Sequence, residues 1–269
     1  MMRIKSELCS GYKNIYLLNG LSLDSISSLY KYMPYSRLVK SVISEELVFV
    51  SPETWIDPFE RRFWKTDYTR YNFTQPNIYC MCLTTKSTTN EEAAWKMYVD
   101  SKERALRITF NVDILLKKLD DYARESGSKI YIGKAIYDFD RTEIIDLHKK
   151  ENIFFPKSVF TLEHYLSLMC LKRKSFEFEN EIRIFIVKDG ESSYESLLKI
   201  KARFDKEFIQ KVMIGPKTPF SSEDPRYLLY NKIQNIESNE FKRKISSLIN
   251  GCDIKQSMLY NIKDSLDRV

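Results

Sequence analysis

Residues 174–190 read KSFEFENEIRIFIVKDG, and how this stretch divides between strand and turn decides how the chain is built. Taken as a strand over 176–187, its even positions Phe176, Phe178, Ile182, Ile184 and Ile186 make one apolar face, broken only by Asn180, because successive strand residues point to opposite sides. The odd positions begin polar. Glu177, Glu179, Glu181 and Arg183 line up and give way to Phe185 and Val187, a face that passes from a cleft into a core. Carboxylates at i and i+2 repel, which raises the pKa of one unless Arg183, an N–H donor or a ligand compensates. The plain alternative is an exposed edge strand with a cross-strand ion pair.

Similar runs surround this one. Period-two alternation is clearest at 105–112, ALRITFNV, where Leu106, Ile108, Phe110 and Val112 face inward and Arg107, Thr109 and Asn111 face out. Further strands are predicted at 47–51, 78–84, 130–138, 182–188, 198–204 and 210–214. Asp113 is positioned to cap a helix over ILLKKLDDYARE, with Leu115, Leu116, Leu119 and Tyr122 at helical spacing. A second helix is expected at 158–172, burying Val159, Leu162, Leu166, Met169 and Cys170, with His164 beside that stripe, and a third at 222–235. Tyr30, Lys31 and Tyr32 stand where the chain first turns strand-like, and SPETWIDPFERRFW (51–64) reads as a polar, proline-punctuated loop. Consecutive strands with little helix between them argue against a doubly wound parallel sheet and for an α+β domain.

Composition narrows the function classes. With 269 residues, 43% hydrophobic and 13% aromatic, the chain can bury a full core and is not disordered. Seven glycines and no GxGxxG exclude a glycine-rich phosphate loop. Five cysteines, at 9, 80, 82, 170 and 252, lack CxxC spacing, so neither a disulfide framework nor a zinc site is expected. Cys80 and Cys82 are expected to face the core together from one strand. No run of about eighteen apolar residues and no signal-peptide core appears, so no membrane partner is expected and a cytoplasmic protein is. A net charge of +6, with basic clusters at Lys172-Arg173-Lys174 and Lys242-Arg243-Lys244, fits a polyanionic partner or simply solvated helix faces.

Six segments in order resemble a large bacterial family, a domain of unknown function whose members read YKY, SPxxFNDPFE, a CFS-type strand with a WxxYA helix, and ENEYR. Here they are YKY (30–32), SPETWIDPFE (51–60), CLTTKSTTNEEAAWKMY (82–98), IGKAIYD (132–138), FEFENEIR (176–183) and VMIGP (212–216). The resemblance covers about residues 28–217. The chain departs from the pattern with Trp55-Ile56 before Asp57 and with Leu-Thr-Thr after Cys82.

This layout is similar to that of ADP-ribosyltransferases, toxin-like or phage-defence effectors. What the resemblance implies is a single α+β domain with a mixed, mostly antiparallel split sheet flanked by helices. Residues 1–27 would form an N-terminal extension, 28–217 the core, and 218–269 a C-terminal extension of helix and strand packed on that core. NAD would be the substrate. Glu181, or its neighbour Glu179, would accept a hydrogen bond from the nicotinamide-ribose hydroxyl and stabilise the charge that develops as nicotinamide leaves. Trp95 or Tyr98 would pack on nicotinamide, Lys31 or Tyr32 would meet the adenosine ribose or diphosphate, and Tyr30, Asp57 and Arg183 would complete the binding set. A lysine or tyrosine stands where those enzymes carry histidine or arginine. The acceptor would be nucleic acid, RNA ahead of protein, with Lys172, Arg173 and Lys174 contacting phosphates, and an antitoxin or defence-system partner would follow.

Two other readings use the same residues. In a Mg²⁺-dependent nuclease, Asp57, Glu60, Glu179 and Glu181 would supply oxygen ligands, although no lysine stands beside those acids in sequence. In a non-catalytic sensor or adaptor, the ENEIR strand would be a structural ion-pair device.

Overall fold

Strands and helices are numbered along the chain, which the computed structural model describes over residues 5–85, 93–95, 103–139, 160–188, 195–216 and 227–257. It is a mixed α/β fold with extensive mixed β-sheet and helices. The backbone divides into two units: Met1–Leu29, Leu47–Lys86 and Val112–Lys201 form the first, and Tyr30–Glu46, Ser87–Asn111 and Ala202–Val269 the second.

In the first unit the apolar run of β10 (Glu181–Lys188) becomes an interior strand buried on both faces at every position but Lys188. It lies antiparallel to β5 (Asn77–Thr84) on one side and to β7 (Lys129–Lys134) on the other. The order β1 (Ser6–Leu8), β2 (Ile15–Leu18), β7, β10, β5 carries one parallel step, β2 to β7. Past β5, β4 (Glu46–Val50) pairs with both β5 and β11 (Leu197–Lys201).

On the odd face of β10, Phe185 and Val187 meet Cys80, Tyr131, Phe59, Phe63, Leu166 and Met169 in one apolar cluster. The last four come from α2 (Pro58–Lys65) and from α4 (Leu162–Leu168) with its C-cap. Helix α3 (Val112–Ser126) packs along β7 and β2 through Leu115, Leu116, Leu119 and Ala123. Gly133 is needed on β7, because a Cβ there would sit 2.9 Å from Cys170 Sγ. The bare backbone lets the 169–171 segment approach the sheet beside Arg183, which is Gly133's cross-strand partner.

The second unit orders β3 (Leu29–Pro34), β6 (Ala105–Phe110), β12 (Ile209–Ile214) and β13 (Asp253–Gln256). β6 and β12 are antiparallel, and β12 and β13 parallel. Its helices are α1 (Tyr35–Ser44) and α5 (Tyr227–Leu248). Leu106, Ile108, Phe110, Val212 and Ile214 are fully buried, as alternation predicts.

Several expectations change. Residues 174–179 form a 3-10 turn, not strand, and Asn180 with φ 43° ends it, so the strand starts at Glu181 and Glu177 and Glu179 are not on its face. Asn tolerates this left-handed conformation better than most residues, which is why one polar residue interrupts the apolar pattern there. Helix α4 is shorter than 158–172. Thr161 caps it, His164 Nδ1 returning the bond to the Thr161 N–H at 3.3 Å, and Leu171–Arg173 is extended as β9; residues 158–159 lie outside the described residues. Asp113 falls inside the first turn of α3 rather than at its cap. Arg107 and Thr109 are 6% and 7% exposed, so the expected outward face of β6 is covered. The 51–64 loop holds a 3-10 turn, Pro52–Thr54, and α2. Residues 130–138 split at Ala135 into β7 and β8 (Ile136–Phe139), which pairs with β9.

Candidate functional site

The first unit gathers five charged side chains from segments far apart in sequence: Glu60, Lys172, Glu179, Glu181 and Arg183, none more than 8% exposed. Each arrives by a local rule. Asp57 caps α2 by accepting from the Phe59 N–H at 2.9 Å, with Pro58 preset at the first helical position. That cap aims the buried face of α2, Phe59, Glu60 and Phe63, at the sheet. Lys172 comes from β9, Glu179 from the 3-10 turn, and Glu181 and Arg183 from the first turnings of β10. Tyr137 Oη accepts the backbone N–H of Glu181 at 2.9 Å, and the Glu181 carbonyl accepts from Ala135. These bonds pin the strand's first residue.

The charges close on one another. Arg183 Nε donates to Glu181 Oε1 at 3.0 Å and its NH2 to Oε2 at 3.2 Å. Arg183 also pairs with Glu60 and donates to the Met169 carbonyl, and its guanidinium carbon lies 4.5 Å from the Trp55 ring centroid. Lys172 Nζ bonds Glu181 Oε2 at 2.7 Å, pairs with Glu179, and lies 3.7 Å from Glu60 Oε1. Alongside, Arg173 pairs with Asp57 at 2.9 Å, and both Lys172 and Arg173 stand over Phe176.

Burial alone would push the Glu181 carboxyl up; the guanidinium of Arg183 and the ammonium of Lys172 outweigh it and hold the group well below the usual carboxylate range. Burial would likewise pull Lys172 down, but Glu181, Glu60 and Glu179 raise it above an ordinary lysine. The sulfurs nearby stay protonated, since burial pushes the Cys170 thiol up to about 12 and Cys80 well above its ordinary value. Cys82, on the same face as Cys80 but half-buried, donates to Glu181. Glu181 thus meets donors from Arg183 twice, Lys172 and Cys82, which matches the roughly four lone-pair sites of a carboxylate.

The expected site residues divide between the units. Glu179, Glu181, Arg183, Asp57, Lys172 and Arg173 share the first, where they touch one another. Tyr30, Lys31, Tyr32 and Trp95 belong to the second, and Tyr98 lies outside the described residues. The basic trio is corrected at Lys172, whose ammonium is buried among carboxylates and not presented to phosphates; Arg173 is half-buried against Asp57, and Lys174 is exposed. Lys172 does stand among Glu60, Glu179 and Glu181, so the acids have the lysine that sequence adjacency did not reveal. Among the described residues no group of carboxylates, thiols and imidazoles is arranged to hold a metal ion. No helix there is long and apolar enough to cross a membrane.

Trp55, Tyr137 and Lys172's pairing role escaped the sequence. The one available signal was Asp-Pro at 57–58, a capping pair that turns Glu60 toward the core three residues later. In comparisons with family models, curated proteins and solved structures, none matched the chain.

Proposed function

We propose that the chain is an NAD-dependent ADP-ribosyltransferase with Glu181 as the carboxylate that faces the nicotinamide ribose. The observation that carries this reading is that Glu181 is kept ionised and fixed in orientation, at the start of an interior strand, by Arg183 and Lys172. The reaction needs such a group. The bond between ribose C1′ and the nicotinamide nitrogen breaks, its electron pair leaves with nicotinamide, and positive charge grows on the ribose. An oriented carboxylate stabilises that charge without reorganising. The acceptor's nucleophile then bonds C1′ and gives up its proton.

With its lone pairs filled, Glu181 takes a ribose hydroxyl only when one donor withdraws. Lys172 is that donor, being on a flexible stem and 10% exposed at its side chain against 1% for Arg183. The order of the six motifs supports the same reading, and Tyr30, Lys31, Tyr32, Trp95 and Tyr98 are proposed to serve NAD as that resemblance implies. For the acceptor we favour RNA over protein on the net charge of +6 and the exposed Lys174, Arg243 and Lys244, and we place the chain among toxin-like or phage-defence effectors with a cognate partner.

The saturation of Glu181 specifically favours a second reading, a non-catalytic adaptor whose ion-pair network fixes the strand. A nuclease is the weaker alternative: Lys172 does stand among the acids, but Glu60, Glu179 and Glu181 are engaged by it and by Arg183, and Asp57 by Arg173. Thermal-shift titration separates the three: NAD raises the melting temperature of the transferase, Mg²⁺ alone that of a nuclease, and neither that of the adaptor.

A further inference from the structure

We propose that the N-terminal half of α5 is the contact of a symmetric dimer, in which the same helix of a second copy of this chain lies parallel against Leu229, Ile233 and Ile236. This goes beyond the transferase reading and does not depend on it. Helix α5 is anchored from its middle onward: Ser238 and Ile245 are buried, and Ser238 Oγ donates to Gln256 Oε1 at 2.8 Å. Ahead of that anchor, Leu229 and residues 232–237 are exposed except for half-buried Gln234. Three of them are large and apolar, Leu229, Ile233 and Ile236, at 57%, 42% and 59% exposure. Spacing of i, i+4 and i+7 gathers them into one stripe. Contiguous apolar surface rimmed by polar residues marks a contact.

The charges beside the stripe identify its occupant. In heptad terms Leu229 and Ile236 fall at d and Ile233 at a, with Lys232 at g and Glu237 at e. On a parallel partner a g residue meets the e residue of the next heptad. A two-fold axis running along the helices therefore brings Lys232 of each copy to Glu237 of the other, and the pair forms twice. Both side chains are exposed, and Arg104 holds Glu237 through Oε2 at 2.9 Å, which orients the carboxylate without covering it. An antiparallel copy would set g against g and e against e and lose this pairing. Flanks of opposite sign do not suit a lipid surface, which takes a basic polar face. The seam ends at Glu240, the next a position, whose carboxylate pairs with Lys244 of its own chain at 2.9 Å. So short a contact makes a weak dimer.

Sedimentation velocity of the full chain over a range of concentrations tests this. The wild type should sediment as a monomer when dilute and as a dimer when concentrated. Ile233→Asp, at a position the fold leaves exposed, acts twice in a symmetric contact and should weaken association at least about tenfold. Lys232→Glu and Glu237→Lys should each weaken it, and mixing the two variants should restore it, since a mixed dimer pairs both sets of charges. Glu181→Gln should associate like the wild type, which keeps this test apart from that of the transferase. A monomer at every concentration would leave the stripe to a different partner and overturns the proposal. A dimer unaffected by Ile233→Asp, or a mixture of the two charge variants no more associated than either alone, overturns it as well.

Discussion

Arg183 and Glu181, two residues apart on β10, are joined by two hydrogen bonds, Nε to Oε1 at 3.0 Å and NH2 to Oε2 at 3.2 Å, with both side chains buried. Replacing Glu181 by Gln keeps the shape but leaves two buried cations short of a partner. That should cost about 3–5 kcal/mol of unfolding free energy, whereas Glu177→Gln, on an exposed side chain, should stay within about 0.5 kcal/mol. Urea denaturation of the two variants measures the difference, and equal small losses would mean the pair is not holding the strand.

Acid should find the same group. The folded pKa of Glu181 lies below that of the unfolded chain, about 4.3. Its contribution is therefore complete above that value and is lost as pH falls from about 5 toward the folded value, by up to about 1.4 kcal/mol per pH unit. Denaturation curves between pH 7 and pH 3 should steepen in this window for the wild type and less for Glu181→Gln; parallel curves would remove Glu181 as a source.

Tyr137→Phe deletes the oxygen that accepts the Glu181 backbone N–H. An orphaned buried N–H costs about 1–3 kcal/mol, so the melting temperature should drop by several degrees while the apolar packing is retained. Hydrogen exchange at the Glu181 amide should speed up in the variant, and an unchanged rate would show another acceptor taking over.

Asp57 has two duties, capping α2 and pairing with Arg173. Asp57→Asn keeps a capping oxygen and loses the charge, while Asp57→Ala loses both. The Ala variant should be the less stable by about 1 kcal/mol, and if the two melt together the cap is not what seats Glu60.

Strand positions were legible wherever hydrophobic alternation or an unbroken apolar run marked them, because burial on one or both faces leaves a period in the residue types: 182–188 is strand as read, and 105–112 is strand as far as Phe110, after which Val112 opens α3. The boundary at 174–181 was not legible, since the alternating Phe176, Phe178 and Glu177, Glu179 mimic a strand and only the left-handed Asn180 breaks it. Glu181 and Arg183 were visible as a polar pair heading a buried strand. Lys172 was not visible as their partner, and Glu60 was grouped with Glu181 only as a fellow Mg²⁺ ligand and not as a partner of Arg183, because these contacts are made through tertiary packing of β9 and α2 that no local pattern encodes. Arg107 misled for a related reason: its alternation signals an outward face, and the tyrosines of β3 cover it.

The central claim is that Glu181 assists departure of nicotinamide, and release of nicotinamide from NAD by the purified chain measures it most directly, with wild type, Glu181→Gln and Glu60→Gln compared at a temperature where all three are folded. Glu60→Gln removes a different partner of Arg183 and disturbs the same network without touching the proposed catalytic oxygen. The account predicts measurable release by the wild type, a loss of about 10²–10³-fold in Glu181→Gln, and retention within about tenfold in Glu60→Gln. No release by the folded wild type, or equal release by wild type and Glu181→Gln, would contradict it.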